Sequence, residues 1–303
     1  MYDFKCISEY REKLSSEAIL VKKFIENSED GDCIQLPELT EVFTDFQNKL
    51  WEENPNIFLK EPLITTVFDQ SERKYPSRAS MLNSCPKAIL ISYVDGTLSN
   101  NVPKDNMRNK NAANMGTMLH EILQRYFSFF GLVEKENNKY LLEYPIVDDE
   151  LCITGHCDFI GNFKSLYDID CKFIGEIKTT GSYKNPYSGE HTHKIDRIIK
   201  QAHPEYEHLA QANFYMYELD LDFELFYYID RGNTYLSTFF LYKKDKNFLK
   251  KIIKKLKYVK KYFINEKLPK PKSKSKKRCQ YCNYLTICSD VDTFDDIRAL
   301  VHE

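Results

Sequence analysis

The sequence predicts an α/β fold in which helices flank a mixed central sheet, and three observations carry that prediction. Five short runs are rich in β-branched and aromatic residues: LLEYPIV (141–147), CITGHCDFIGNF (152–163), CKFIGEIKTT (171–180), FELFYYID (223–230) and TYLSTFFLY (234–242). Turn-forming or polar residues bound each of them, as strands require. Stretches with apolar residues at helical spacing lie before, between and after them, and no internal repeat is present.

Residues 1 to about 75 read as mostly helical, with Leu14, Ile19, Val21, Phe24 and Ile25 as apolar positions and a polar patch holding Gly31 and Pro37. A Ser-rich entry then precedes a helix in YPSRASMLNSCPKAILISYV (75–94), and the polar stretch 99–114 reads as a loop. In MGTMLHEILQRYFSFF (115–130), Leu119, Ile122, Leu123, Tyr126, Phe127 and Phe130 recur at helical spacing, with His120 at the edge of the stripe. The strands at 152–163 and 171–180 are expected to pair as a hairpin. A polar loop over 181–204 leads to a helix in EYEHLAQANFYMYEL (205–219). After the last two strands comes a Lys-rich helix over 247–264, a Pro-Lys-Ser linker and a cluster of cysteines.

With 303 residues and 42% hydrophobic content the chain has ample material for a core. No stretch reaches the roughly 18 consecutive apolar residues of a membrane helix. The opening MYDFKCISEYREK lacks a signal peptide's basic start and apolar run. The expectation is a protein of the cytoplasm, or of a host's cytoplasm if the source is viral, with no membrane partner. Nine cysteines in a reducing compartment point to metal binding or ordinary burial rather than to a disulfide framework. The net charge of −2 hides an asymmetry: residues 243–278 hold 17 Lys or Arg against Asp245 and Glu266, a net of +15, so the remainder sums to −17. Such a segment suits either a polyanion-binding face or a solvated helix followed by a Lys-rich linker.

In FIGEIKTTG (173–181) side chains alternate across the strand, so Glu176 and Lys178 share a face and Ile177 takes the other. Alone, that is an ordinary strand surface. Asp158, on the strand expected to pair with this one, changes the reading, because two carboxylates held close repel unless a hard cation lies between them. Mg²⁺ or Mn²⁺ with oxygen ligands fits such a pair, and Lys178 is then placed to orient or deprotonate a water aimed at a phosphodiester.

The order Asp, then Glu-x-Lys across a hairpin, resembles the PD-(D/E)xK nuclease superfamily, here with GEIK as its second signature and Gly155-x-x-Asp158 as its first. The helical residues narrow the match. His120 in GTMLHEILQ resembles the helix histidine that RecB-type nucleases place on the metal, and Gln211 with Tyr215 in HLAQANFYMY resembles their Gln-x-x-x-Tyr element. The resemblance implies a restriction-endonuclease-like core over 76–288, an N-terminal helical extension over 1–75 and a tail over 289–303. It further implies Asp158, Glu176, Lys178, Gln211 and Tyr215 as catalytic residues, and His120, Asp158, Glu176 and the Ile177 carbonyl as metal ligands. His208, one helical turn before Gln211, either touches substrate or has no role.

Cys279, Cys282 and Cys288 form a C-x2-C-x5-C run that needs a fourth ligand, and Cys85 precedes the core. This arrangement resembles iron-sulfur RecB-type nucleases, including the CRISPR-associated exonuclease family and the AddB nuclease domain, in which four thiolates hold a [4Fe-4S] cluster that staples the two ends of the chain. A structural zinc site is the rival. Cys6, Cys33, Cys152, Cys157 and Cys171 are read as ordinary buried cysteines. The implied activity is a metal-dependent DNA nuclease, an exonuclease on single-stranded ends. Tyr183 and Tyr187 are candidates for stacking, and Lys184, Lys194 and Arg197 for contacts beside the site. A structure-selective endonuclease of DNA or RNA, and a nucleic-acid-binding scaffold with a vestigial site, are the alternatives. The first 75 residues are a candidate docking element for a protein partner.

Overall fold

The computed structural model describes residues 6–53, 75–94, 107–184, 191–270, 279, 282 and 284–301, with the backbone alone at 6–8, 53, 107–114, 183, 184, 191 and 301. The elements in chain order are α1 (Cys6–Lys13), α2 (Ser15–Asn27), β1 (Cys33–Gln35), α3 (Pro37–Glu53), β2 (Ser77–Arg78), α4 (Pro86–Val94), α5 (Met107–Phe130), β3 (Lys135–Glu136) and β4 (Lys139–Tyr140). They continue with β5 (Leu142–Asp148), β6 (Ile153–Asn162), α6 (Lys164–Tyr167), β7 (Lys172–Thr180), β8 (Ser182–Lys184), β9 (His191–His193), α7 (Lys194–Gln201) and α8 (Tyr206–Glu218). β10 (Phe223–Asp230), β11 (Ser237–Lys243), α9 (Lys246–Ile264) and α10 (Phe294–Val301) complete the chain.

Seven strands form the central sheet, in the order β1, β11, β10, β7, β6, with β5 and β2 both on β6. β10 lies parallel to β7, β2 lies parallel to β6, and the other neighbours are antiparallel. This is the expected mixed sheet flanked by helices. β6 has more partners than edges. β5 runs along one edge from Ile153 to Phe159, so the other edge is shared by β2, at Ile153 and Thr154, and β7, from Phe159 to Asn162. Residues 155–158 therefore have no strand beside them on that edge, and β6 and β7 part like a fork just before Phe159 and Gly175.

Helices cover both faces. On one face α1, α2, α3 and α5 pack with Phe159, Phe173, Ile177, Tyr227 and Phe239 in an aromatic core. On the other, α7, α8 and α9 pack against Ile174, Phe226, Tyr228 and Tyr242. A third cluster joins α4 and α10 to the end of α9 through Ile89, Leu90, Val259 and Ile297. The helices are pinned locally. Buried Glu17 accepts the Glu38 and Leu39 amide N–H groups at the start of α3, at 2.9 and 3.0 Å, and Asp245 accepts two N–H groups at the start of α9.

Residues 1–75 were expected as a helical extension. Within the described part, β1 extends the sheet and α1 to α3 build one wall of its core. The expected loop over 99–114 is helical from Met107 onward, where Ala112 and Ala113 favour helix despite polar neighbours. The expected loop over 181–204 contains β8, β9 and α7; in KIDRIIKQ the helical spacing of Ile195, Ile198 and Ile199 runs over only eight residues.

Phe43 on α3 stacks on Phe127 at 4.6 Å and meets Tyr227 and Phe239 edge-on. Phe43→Ala is expected to lower stability by about 3–5 kcal/mol, the cost of emptying a packed aromatic site. Denaturant unfolding measures it; a loss under about 1 kcal/mol would mean that α3 is only loosely attached to the core.

Candidate active site at the fork in the sheet

The β6–β7 register, Phe159 opposite Gly175, would place Asp158 opposite Glu176 as the next pair, but the ladder stops there. The Ile177 N–H instead donates to Asp158 Oδ2 at 2.5 Å, so a side chain replaces the missing backbone partner. Two carbonyls on the opposite, β5-facing edge of β6 are satisfied by side chains from both faces: Pro145, paired with His156, has no N–H to give, and the ladder skips the Glu143–Asp158 pair. Tyr215 Oη donates to the His156 carbonyl at 2.7 Å, and Gln124 Nε2 donates to the Asp158 carbonyl at 3.2 Å. Tyr215 fits only because residue 155 is glycine: a Cβ there would meet the tyrosine ring at 2.7 Å.

Side chains from both faces meet in this opening. Ile177 points into the aromatic core, while Glu176 and Lys178 face α8. Lys178 Nζ donates to Glu176 Oε1 at 2.5 Å and to Gln211 Oε1 at 3.1 Å; Gln211 Nε2 donates to Glu176 Oε1 and to Tyr215 Oη, each at 3.0 Å. The Gln211 carboxamide thus bonds both members of the ion pair and fixes their spacing. From α5, His120 Nδ1 stands 3.4 Å from Asp158 Oδ1. His120, Asp158, Glu176, Ile177, Lys178, Gln211 and Tyr215 are therefore linked by one continuous set of contacts.

The electrostatics are those of a buried, unevenly paired cluster. Burial pushes the Glu176 carboxyl up to about 7; Lys178 opposes that rise and Asp158 adds to it. An ion pair this close ordinarily lowers a carboxylate's pKa, and here loss of water outweighs it. Burial works against the Lys178 ammonium, but Glu176 and Asp158 more than offset it, so its pKa is raised. For His120 likewise, burial opposes the charge and the Asp158 carboxylate outweighs burial, giving a net rise. Glu176 Oε2 is buried and has no hydrogen-bond partner among the described residues.

Sequence reasoning missed three residues here. Glu143 on β5 stands across the strand from Asp158, with φ of +47°, and accepts Gln124 Nε2 at 2.6 Å. A glutamate in the left-handed region is strained, and such strain gathers at functional sites. In LLEYPIV it reads only as the outer face of a strand. Gln124, one turn after His120, looks like any polar helix residue. Glu224 on β10 is fully buried with neither oxygen partnered among the described residues, and burial together with Glu176 holds its carboxyl well above the usual range. Its signal was present: a lone carboxylate in a strand buried on both faces.

The remaining candidates lie apart from this network. Lys194 is held by Glu207 at 3.2 Å and Arg197 by Glu205 at 2.6 Å, beside the start of α8. Tyr187 lies outside the described residues, and only the backbone of Tyr183 and Lys184 is described. Cys85, Cys279, Cys282 and Cys288 are all half-buried. Burial raises the Cys288 thiol, buried Lys87 lowers it, and Cys85, Cys282 and Cys279 act on it as neighbours. Among the described residues no group of three or more His, Cys, Asp or Glu side chains stands close enough to hold a metal ion. Cys152 and Cys157 are buried as expected, and Cys33 and Cys171 half-buried; of Cys6 only the backbone is described. No helix among the described residues is long and apolar enough to cross a membrane. On α9, Lys246, Lys250, Lys251, Lys254, Lys257 and Lys261 are exposed, whereas Lys255 and Lys260 donate to backbone carbonyls of Leu82 and Glu150; residues 271–278 lie outside the description.

No known family model matches the chain, and no curated protein matches it. The solved structures to which the chain is similar include two of low identity. One is the crystal structure of SSO0001, 14% identical, with a TM-score of 0.44 over 80% of this chain and 96% of that one. The other is an alkaline exonuclease, LHK-Exo, from Laribacter hongkongensis, 13% identical, with a TM-score of 0.37 over 64% of this chain and 90% of that one.

Tyr215→Phe removes the donor that satisfies the His156 carbonyl and an acceptor for Gln211. It is expected to cost about 1–3 kcal/mol, since buried polar groups are left unpaired while the ring still fills its space. Urea unfolding reads the change, and an unaltered midpoint would show that solvent replaces the hydroxyl.

Proposed function

We propose that the protein is a metal-dependent nuclease that hydrolyses phosphodiester bonds, acting as an exonuclease on single-stranded DNA ends. The observation that carries the reading is the fork itself, where Asp158 and Glu176 converge from neighbouring strands with Lys178 beside them and one buried Glu176 oxygen left without a partner. A buried carboxylate oxygen without a donor suits a cation. When bound, a Mg²⁺ or Mn²⁺ ion supplies charge neutralisation for the reacting phosphate and a more acidic water; Asp158, Glu176, the Ile177 carbonyl and His120 would hold it. Glu176 must be ionised for that task, which its position beside Lys178 favours and its burial resists. Lys178 holds or moves a proton at the attacking water, with Gln211 fixing its ammonium in place. Tyr215 ties Gln211 to the strand of Asp158 through the His156 carbonyl.

The exposed lysines of α9 support binding to a polyanion without base selection. The four cysteines are assigned to a [4Fe-4S] cluster that ties α4 to the chain's last segment, with zinc as the alternative occupant. Their donor set suits either, and Lys87 strengthens the tie by bonding the Val291 carbonyl and facing Asp292 at 3.5 Å.

Glu176→Ala and Lys178→Ala are each expected to lower turnover by about two orders of magnitude or more while the fold is kept. The test compares end-labelled linear single strands with a covalently closed single-stranded circle in Mn²⁺, using Glu176→Ala as the blank. The expected result is that the linear strand is degraded and the circle survives. Equal cutting of the circle would make the activity endonucleolytic, and binding without cutting would favour a scaffold.

Anaerobically purified protein is expected to be brown and to hold iron through the four cysteines. Cys282→Ser should reduce solubility or stability before it changes the chemistry. Metal analysis decides; stoichiometric zinc without iron would replace the cluster by a tetrahedral zinc site.

A further inference from the structure

His208 lies one turn before Gln211 on α8, partly open to solvent, and the site network above does not use it. Its state is fixed from below. Tyr228, fully buried on β10 and paired in register with Lys178, accepts the Glu205 N–H at 3.1 Å. Its hydroxyl has one proton to give, and its other partner is His208 Nδ1 at 2.7 Å. Tyr228 retains that proton, because burial holds its pKa well above the usual value. Nδ1 is therefore the acceptor, and the ring's own proton sits on Nε2.

An anion already stands near that Nε2–H, beyond hydrogen-bond distance. Glu207 Oε1 stands 3.9 Å from His208 Nε2 and 3.2 Å from Lys194 Nζ, so one carboxylate oxygen lies between a neutral donor and an ammonium. Glu207 is 59% exposed and free to swing away. We infer that His208, as its Nε2–H tautomer, and Lys194 form a subsite for a nucleic-acid backbone phosphate adjoining the reacting one, with the Glu207 carboxylate standing where the phosphate oxygen binds. Burial, with Lys178 and Lys194 nearby, holds the imidazole pKa down to about 3, so the donor stays neutral at working pH. Gln211, three residues on, bonds Lys178, which places the subsite beside the scissile position. His208 is a positioning residue, and the inference rests on the nuclease reading.

Two near-isosteres separate the ring's two nitrogens. His208→Asn keeps an acceptor for the Tyr228 hydroxyl and loses the outer donor; His208→Gln carries an amide N–H to the Nε2 position and loses the inner acceptor. Steady-state kinetics on a labelled single strand and thermal unfolding are measured for both. For the Asn variant KM is expected to rise about tenfold, the loss of one hydrogen bond to a charged group, with kcat within about twofold and the unfolding midpoint retained. For the Gln variant the midpoint is expected to fall while KM stays within about threefold of the parent. Glu207→Gln is expected to lower KM. A purely structural histidine would move KM and the midpoint together, and that result, or an unchanged KM in the Asn variant, overturns the subsite while leaving the nuclease intact. Parent protein that neither binds nor cuts any nucleic acid would remove the nuclease reading, and the subsite with it.

Discussion

The constraint on which the molecule depends is that a backbone group withdrawn from water must find a partner. β6 has two edges and three neighbours, so residues 155–158 are left without a strand on one side. An opening of this kind inside a sheet costs roughly 1–3 kcal/mol for each group left unpaired. Side chains meet that cost at the opening, where Asp158 accepts the Ile177 N–H, and again along the β5 edge, where Tyr215 and Gln124 donate to the His156 and Asp158 carbonyls. The residues that repair the sheet are thus also the ones that furnish or frame the site. Their removal is expected to disturb structure and chemistry together, with Lys178 and Glu176 closest to a purely chemical role.

The same opening explains why helices on opposite faces of the sheet reach one point. A complete sheet would separate His120 on α5 from Gln211 on α8. Here the parting of β6 and β7 lets both approach Asp158 and Glu176. Burial then sets the electrostatics, because carboxylates at Glu176 and Glu224 face more loss of water than the single Lys178 ammonium offsets. The excess negative charge is a standing demand for a cation or for protons.

Much of this was legible in the sequence, for identifiable reasons. Strand alternation alone put Glu176 and Lys178 on one face and Ile177 on the other, and β-branched runs marked all five long strands. The contribution of β1 was not legible, since CIQ is three residues long and its partners, Phe240 to Tyr242, lie some two hundred positions away. Glu143 and Gln124 were hidden because their meaning lies in a positive φ and a cross-strand contact, neither of which a side-chain period encodes. α7 was hidden by brevity. The tautomer of His208 depends on a tyrosine twenty positions later and could only be read from the assembled packing.

The pairing of β1 with β11 bears on how the chain comes to be folded. Gln35 meets Phe240, so the first strand waits for about two hundred further residues before its place in the sheet exists. At ribosomal speeds of roughly 5–20 residues per second that interval is on the order of ten to forty seconds. Through it, α1 to α3 hold apolar faces, Phe43 and Phe46 among them, with no sheet to cover them. The segment that completes the core is thus synthesised well before the strand it pairs with and is among the last to be buried, which leaves its apolar faces open to wrong partners in the interval.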